Sequence, residues 1–450
     1  MIRTLFAASA LLLASSGLAE AAGALDGHWD GAISRLGAIQ RIRLDVVTDP
    51  SGAIHGTYDI PDLWLYGEPL TEVSLAGDDL TFHVLYGKFA GKLHGTVDEL
   101  TGVNTAWDPP VGINLKRTPP IPEYRVRELR VAGKTTIAGS LYLPVSCTSC
   151  ATVIVVPGSG DQSRATWSYR GYAAELARHG VAAFVYDKRG LGGSNGRWQT
   201  ASFADLADDV AAIAQHLAHT GGVDARRIGA MGISQGGWIV PMAAAKTPLI
   251  SFAMLIVGPA VTPQEQERER IAGTLRARGF GADDVAAALA FVDAQFAADY
   301  GELPPNELAA RLAAAKATAW GKALALEADT PDDARWWRMN RYDPTETLRG
   351  LRVPVLAVFG ERDILVPPDP NRTLMERDLA GNRRATIVTI AGMTHDPYTG
   401  QRLVGGAWAW PTSFWHFDER TPELAQKIFT WLEAHVQRED LRGRASSGRT

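Results

Sequence analysis

Thr152-Val153-Ile154-Val155-Val156 is five residues long and has no polar face. Val181 to Tyr186, Ile228 to Gly232, Ile250 to Val257, Val353 to Phe359 and Ala385 to Ile390 read in the same way. Runs of this length suit strands covered on both faces, because a strand with one wet face alternates apolar and polar side chains. Between them lie segments of helical period. Phe203, Leu206, Val210, Ile213 and Leu217 recur every three or four residues, with Ser202 in place to cap the helix. Another helical stretch ends at Gly180, and Thr421-Pro422 opens a last one with Leu424, Ile428 and Leu432 on one face. Strands alternating with helices predict an α/β fold, a mostly parallel sheet with helices on both faces. Two strand-like stretches, Tyr124 to Val131 and Thr135 to Leu143, lead into it.

The alternation stops between Pro263 and Arg349, where the chain becomes rich in Ala, Arg and Glu and poor in strand formers. A helical block that interrupts a sheet between two strands is expected to be a cap, spanning about 261–349. The residues from about Gly23 to Thr118 have a different pattern. Ile42, Leu44 and Val46 alternate with Arg41, Arg43 and Asp45; Leu80, Phe82, Val84 and Tyr86 alternate likewise, and Phe89, Gly91, Leu93, Gly95 and Val97 share one face. Period-two alternation broken by Gly, Asp and Pro predicts a small antiparallel β domain over 23–118, a barrel or sandwich. Thr118-Pro119-Pro120-Ile121-Pro122 is a stiff linker, so the α/β domain is expected over 119–440. The stretch 441–450 reads as a disordered tail.

Both chain composition and the N-terminus bear on partners. The formal net charge is −5 with both signs spread along the chain, which argues against a nucleic-acid surface. Arg3, the apolar run Leu5 to Leu13 and the small residues Ala19 and Ala21 read as an export signal over 1–21, cleaved after Ala21. No later run approaches the roughly 18–20 apolar residues of a spanning helix. The expected location is therefore periplasmic or secreted. In an oxidising compartment the only two cysteines, Cys147 and Cys150, are expected to form a short disulfide, with two free thiols as the alternative; a redox pair or a zinc site finds less support around them.

Gly232-Ile233-Ser234-Gln235-Gly236 lies after one buried strand and before a helical stretch. A serine on so tight a strand-to-helix turn is presented at the strand's carboxyl end, the ligand edge of a parallel sheet. The next backbone N–H, that of Gln235, is aimed where an oxyanion would form. A serine hydroxyl needs a base to act as a nucleophile at neutral pH. His395, in a loop directly after the strand Ala385 to Ile390, is at the correct edge. His416, between Trp415 and Phe417, is its rival, whereas His435 falls on the apolar stripe of the last helix. Asp363, leaving the strand Val353 to Phe359, is the expected orienting acid, with Glu361 and then Asp369 as alternatives. The loop Pro157-Gly158-Ser159-Gly160 is expected to supply a second oxyanion donor from the Ser159 backbone.

These strings, with Tyr186-Asp187-Lys188-Arg189-Gly190, Gly192, Ser194 and Tyr342-Asp343-Pro344, carry a resemblance. From about Arg125 to Val436 the chain resembles the alpha/beta-hydrolase superfamily, and within it the bacterial exported esterases near the serine-aminopeptidase-like branch. The resemblance implies that Asp187 and Arg189 scaffold their loop and are not reactive. One position departs from the pattern: Pro157 stands where a histidine commonly precedes the oxyanion-loop glycine. The expected activity is hydrolysis of a small carboxylic ester through an acyl-serine intermediate on Ser234, His395 and Asp363, with no metal or organic cofactor. An aminopeptidase or amidase on the same residues is the second reading, and an idle hydrolase fold serving as a binding protein is the third. Trp320, Trp336, Trp337 and the stretch Ala407 to Phe417 are expected to wall the substrate site, and Glu265, Glu267 and Glu269 to be a self-paired, solvated helix face. Oligomeric state is not legible.

Overall fold

The computed structural model describes residues 23–84, 87–94, 98–106, 108–396, 402–404, 407–409 and 422–437. The expected signal segment, His416 and the expected tail lie outside these. Two compact units divide the chain: residues 1–122 with 412–419, and residues 123–411 with 420–450.

The first unit is one antiparallel sheet of nine strands: β1 Gly27–Arg35, β2 Ala38–Thr48, β3 Ile54–Ile60, β4 Leu65–Pro69, β5 Thr71–Ala76, β6 Asp79–Val84, β7 Gly87–His94, β8 Glu99–Asn104 and β9 Val111–Arg117. Their order is β4-β3-β2-β1-β9-β8-β7-β6-β5. The two edge strands, β4 and β5, are consecutive in sequence and joined by Leu70 alone, whose N–H donates to Gly56 O. The sheet therefore curls until its edges share a corner. This is a single meander closing on itself, so the barrel form of the expectation is nearer than the sandwich. Alternation does what it predicts, with Ile42, Leu44, Phe82, Phe89 and Leu93 on the buried side.

The second unit is built on eight strands: β10 Tyr124–Val131, β11 Ile137–Pro144, β12 Ser149–Val156, β13 Ala182–Tyr186, β14 Gly222–Ile233, β15 Ile250–Ile256, β16 Val355–Gly360 and β17 Ala385–Ile390. Their order is β10-β11-β13-β12-β14-β15-β16-β17. The hairpin β10–β11 and the β11–β13 pair are antiparallel, and every later pair is parallel. After β12 the chain adds β13 on one side and then returns to lay β14 on the other. That reversal opens a crevice beyond the carboxyl end of β12, where open α/β sheets bind ligands. Cys147 and Cys150, at the entry to β12, are joined in a disulfide.

Helices cover the sheet: α1 Trp167–Arg178, α2 Phe203–Leu217 and α3 Gly236–Lys246, with α10 Pro368–Asp378 and α11 Pro422–Leu432. Ser202 caps α2 through a reciprocal box, its Oγ accepting from Asp205 N while the Asp205 carboxylate accepts from Ser202 N. Beside it the Arg189 guanidinium forks onto Asp209, at 2.6 and 2.9 Å, tying the loop after β13 to α2. Six helices fill the interruption between β15 and β16: α4 Pro263–Ala277, α5 Ala282–Asp299, α6 Pro305–Ala317, α7 Ala319–Ala323, α8 Pro331–Met339 and α9 Thr345–Gly350. They carry a core of their own, which includes Ile271, Leu275, Phe291, Phe296 and Trp320.

The two tethers of α2 differ in what their loss leaves behind. Ser202→Ala exposes an unpaired amide at a helix end and should cost about 1 kcal/mol. Asp209→Ala leaves a largely buried guanidinium without its partner and should cost about 3 kcal/mol or more. Chemical denaturation followed by circular dichroism should rank them in that order; equal losses would contradict it.

Candidate active site

Ser234 is the residue after β14, and its backbone is left-handed, with φ at 53°. A non-glycine residue holds that conformation only where its surroundings over-determine it. Here Ser234 N donates to Ile256 O at 3.0 Å and Ser234 O accepts from Gly237 N at 2.7 Å, so strand and helix grip the turn from both ends. The turn is closed so tightly that a Cβ on Gly232 would sit 2.1 Å from Gly236 O, and one on Gly236 would sit 2.6 Å from Val156 O. Both positions exclude any side chain. The serine hydroxyl is thereby raised at the carboxyl edge of the sheet, at the β12 crevice.

His395 arrives from the loop after β17. Its Nε2 lies 3.0 Å from Ser234 Oγ and its Nδ1 2.8 Å from Asp363 Oδ2. A carboxylate facing Nδ1 fixes the proton there, leaving Nε2 to accept from the hydroxyl. Asp363, from the loop after β16, has a fully buried carboxylate. Its other oxygen accepts from Leu365 N and Val366 N, each at 2.8 Å, so it cannot swing away. Burial alone would lower the His395 pKa, but the charge of Asp363 and its hydrogen bond outweigh burial and raise it. Two of the alternatives are engaged elsewhere, while His416 lies outside the described residues. Glu361 is bound to Gly392 N, and His435 packs on Trp431 with Nδ1 against Trp431 O.

Gln235 and Ser159 flank the serine and line the same cavity. Among the described residues neither backbone N–H has a protein acceptor. Gly158 N, by contrast, is engaged by Tyr169 Oη at 2.9 Å, which leaves Ser159 N a free donor of that loop. Burial pushes the Tyr169 phenol well above its ordinary value, so it stays neutral. Asp187 behaves as a scaffold, accepting from Arg164 N and Gly193 N across its loop.

Two residues of the site have only a faint sequence signal. One is Tyr169. The other is Lys188, buried directly after β13, with Nζ 3.0 Å from Gly158 O, 3.0 Å from Gly160 O and 3.3 Å from Gln235 Oε1. Burial pulls its pKa down to about 8, against the opposing charge of Asp161. A cation two residues after five buried residues, with Asp187 between, is the one hint in the sequence.

The cavity above Ser234 has a volume of about 540 Å³, within the range of small-molecule sites. Trp198, Trp238, Leu365 and Val366 supply apolar wall, and Trp336 and Trp337 of α8 join them from the cap. Trp320 does not: it is buried in the cap's own core against Phe291. The expected wall stretch Ala407 to Phe417 lies outside the described residues, apart from the backbone of the strand Ala407–Ala409. Glu265 closes the capping box of α4 and Glu267 is forked by Arg270, as a self-paired face requires. However, Glu267 and Arg270 line the cavity, together with Asp329 and Asp333. Asp329 shares a hydrogen bond with Asp299, and burial raises both, Asp299 to about 7. Among the described residues no cluster of three His, Cys, Asp or Glu is arranged to hold a metal ion. No described helix is long and apolar enough to cross a membrane.

Residues 148–289 match the family described as serine aminopeptidase, S33. No curated protein matches the sequence. Solved structures similar to the chain include an esterase of Pyrococcus furiosus, at 14% identity over 70% of this chain and 92% of that one, with a TM-score of 0.45. A ferulic-acid-bound protein of Butyrivibrio proteoclasticus is 16% identical over 69% and 99%, with a TM-score of 0.45. An alpha/beta hydrolase of a Penicillium species is 17% identical over 70% and 100%, at 0.44. The family match, the strand order and the serine turn together give the second unit the alpha/beta-hydrolase fold.

The His395 environment predicts a sign. In the intact protein its imidazole should titrate above the ordinary value of about 6.5. In Asp363→Asn the carboxylate is gone while burial remains, so the midpoint should fall below that value. Proton NMR of the imidazole against pH measures both; an unchanged midpoint in the variant would mean that Asp363 does not hold the charge.

Proposed function

We propose that the protein is a serine esterase acting on small uncharged carboxylic esters. One observation carries the reading: an uninterrupted hydrogen-bond chain from Asp363 through His395 to Ser234, opening onto a cavity with four tryptophans in its wall. In the mechanism, Ser234 Oγ attacks the ester carbonyl as His395 Nε2 takes its proton. The carbonyl oxygen becomes the tetrahedral oxyanion, which accepts from Gln235 N–H and Ser159 N–H. The imidazolium, steadied by Asp363, returns the proton to the leaving alkoxide. Water repeats the sequence on the acyl-serine and frees the acid. Apolar walls favour an uncharged acyl group.

A second reading, cleavage beside a free amino group, is favoured by Asp329 and Asp333 in the cavity wall and by the aminopeptidase description of the matched family. The two are separated by kcat/KM for p-nitrophenyl acetate, butyrate and octanoate beside free and N-blocked aminoacyl p-nitroanilides. The esters should be preferred. Free-amine anilides turned over faster than every ester would transfer the proposal to the second reading. A fluorophosphonate probe should label Ser234, and absence of label would favour an idle binding protein. Ser234→Ala and His395→Ala should each lower kcat by about 10⁴-fold or more while the melting curve is unchanged. We further propose that the chain is exported and cleaved after Ala21, so that N-terminal sequencing of exported protein should begin at Ala22.

A further inference from the structure

Lys188 has three N–H bonds as an ammonium and three acceptors around it: Gly158 O, Gly160 O and Gln235 Oε1. Two of these acceptors belong to the loop after β12, and the third to the residue after Ser234. The loop and the turn are the two sources of oxyanion donors, so one cation is tied to both. The direction of the tie matters. A trans peptide carries its C=O and its next N–H on opposite sides. With Gly158 C=O turned onto the ammonium, the Ser159 N–H of the same peptide faces the other way, toward the side where Gly158 packs against Ser234 and where Ser159 lines the cavity. The Trp198 ring covers the ammonium, 4.7 Å from ring centre to Nζ, and its Nε1 is anchored on Asp161 Oδ1 at 2.7 Å. The cation is thus closed off beneath the loop and does not line the cavity.

We infer that Lys188 is the positioning residue of the oxyanion hole: it draws the Gly158 and Gly160 carbonyls away from the cavity so that the loop shows the substrate its N–H and not its oxygen. The inference rests on the serine-hydrolase reading above. A carbonyl released from Lys188 would be a buried acceptor without a partner, and its peptide would rotate toward the wet cavity to find one. That rotation removes the Ser159 donor and sets a partial negative charge where the oxyanion must form. The oxyanion exists in the transition state and not in the bound ester, so the loss should fall on kcat and leave KM alone.

The test is Lys188→Met, with Lys188→Gln, which keeps a polar N–H donor, as the second variant should the first fail to fold. Melting curves select the variant to be read. With p-nitrophenyl butyrate kcat should fall about 10²-fold in the Met variant, the loss typical of one oxyanion donor. It should fall about tenfold in the Gln variant, with KM within about threefold of the parent in either. An alkyl trifluoromethyl ketone, whose hemiketal with Ser234 carries the oxyanion, should lose affinity by the same factor as kcat. A structural role alone would not separate Ki from KM in this way. If the folded variant keeps kcat and Ki, or if KM rises in step with Ki, the inference is overturned. Ser234→Ala run alongside keeps the two ideas apart. A dead serine variant beside an undiminished Lys188 variant removes this inference alone, whereas turnover by the serine variant removes the serine-hydrolase reading beneath it.

Discussion

Every functional distance in the second unit is set by how closely three backbones approach around Ser234. The end of β14, the start of α3 and the end of β12 meet there with no room for a Cβ at Gly232 or Gly236. Hydrogen bonds from Ser234 N to Ile256 O and from Gly237 N to Ser234 O then hold the serine in its left-handed conformation. The strain is local, of order 1–3 kcal/mol for a residue in this region. It is tolerated because β14 lies between two parallel neighbours, buried on both faces. A looser turn would let the hydroxyl relax into the sheet edge, and the imidazole 3.0 Å away would lose its partner. The reacting geometry is therefore a consequence of sheet packing more than of contacts among the polar groups.

The polar groups are held one shell further out by fixed backbone. Asp363 is pinned by two amides, the loop after β13 by the Asp187 carboxylate, and the loop after β12 by Tyr169 and Lys188. Each of these loops leaves the carboxyl end of a parallel strand, where the topology reverses at β12. Charge in the site is likewise arranged by burial and pairing. Asp363 raises His395 against the effect of burial, while Lys188, with only carbonyl-type acceptors in contact, is pulled down. A carboxylate partner holds one group more firmly charged; neutral oxygens leave the other nearer neutrality.

What was legible in the sequence follows from how many constraints act on each residue. A strand buried on both faces can be written only in apolar letters, so β12, β13, β15, β16 and the second half of β14 could be read from their runs; β17 reads in the same way although most of it is half-buried. The turn at Ser234 can be written only with flanking glycines, and the loops carrying Asp363 and His395 follow from strand ends. The unreadable parts have weaker codes. Nothing in the alternation of the first unit distinguishes a sheet that closes on itself from two sheets packed face to face, since both bury alternate residues. Lys188 was passed over because a lysine in a loop is ordinarily solvated. Only the fold reveals that three carbonyl-type oxygens converge on it.

The cap shows the same limit where it matters most for substrate. Trp320 sits on α7 and Trp336 and Trp337 on α8, yet Trp320 is buried in the cap's own core while the other two line the cavity, Trp337 packing against that core as well. Helical period gives the face a residue occupies, but not whether that face meets another cap helix or the site. The acidic side chains divide too: Glu265 is engaged in the cap of α4, Glu267 is paired with Arg270 yet lines the cavity, and Asp329 and Asp333 reach it from the segment around α8. The chemistry of Ser234 is fixed by the sheet, which admits few alternatives. The substrate is chosen by the cap, whose surface can exchange tryptophan for carboxylate without disturbing the strands below. Esterase and aminopeptidase readings of one site turn on that exchange, and in this cap both kinds of side chain share the wall, with burial raising the carboxyls of Asp299 and Asp329.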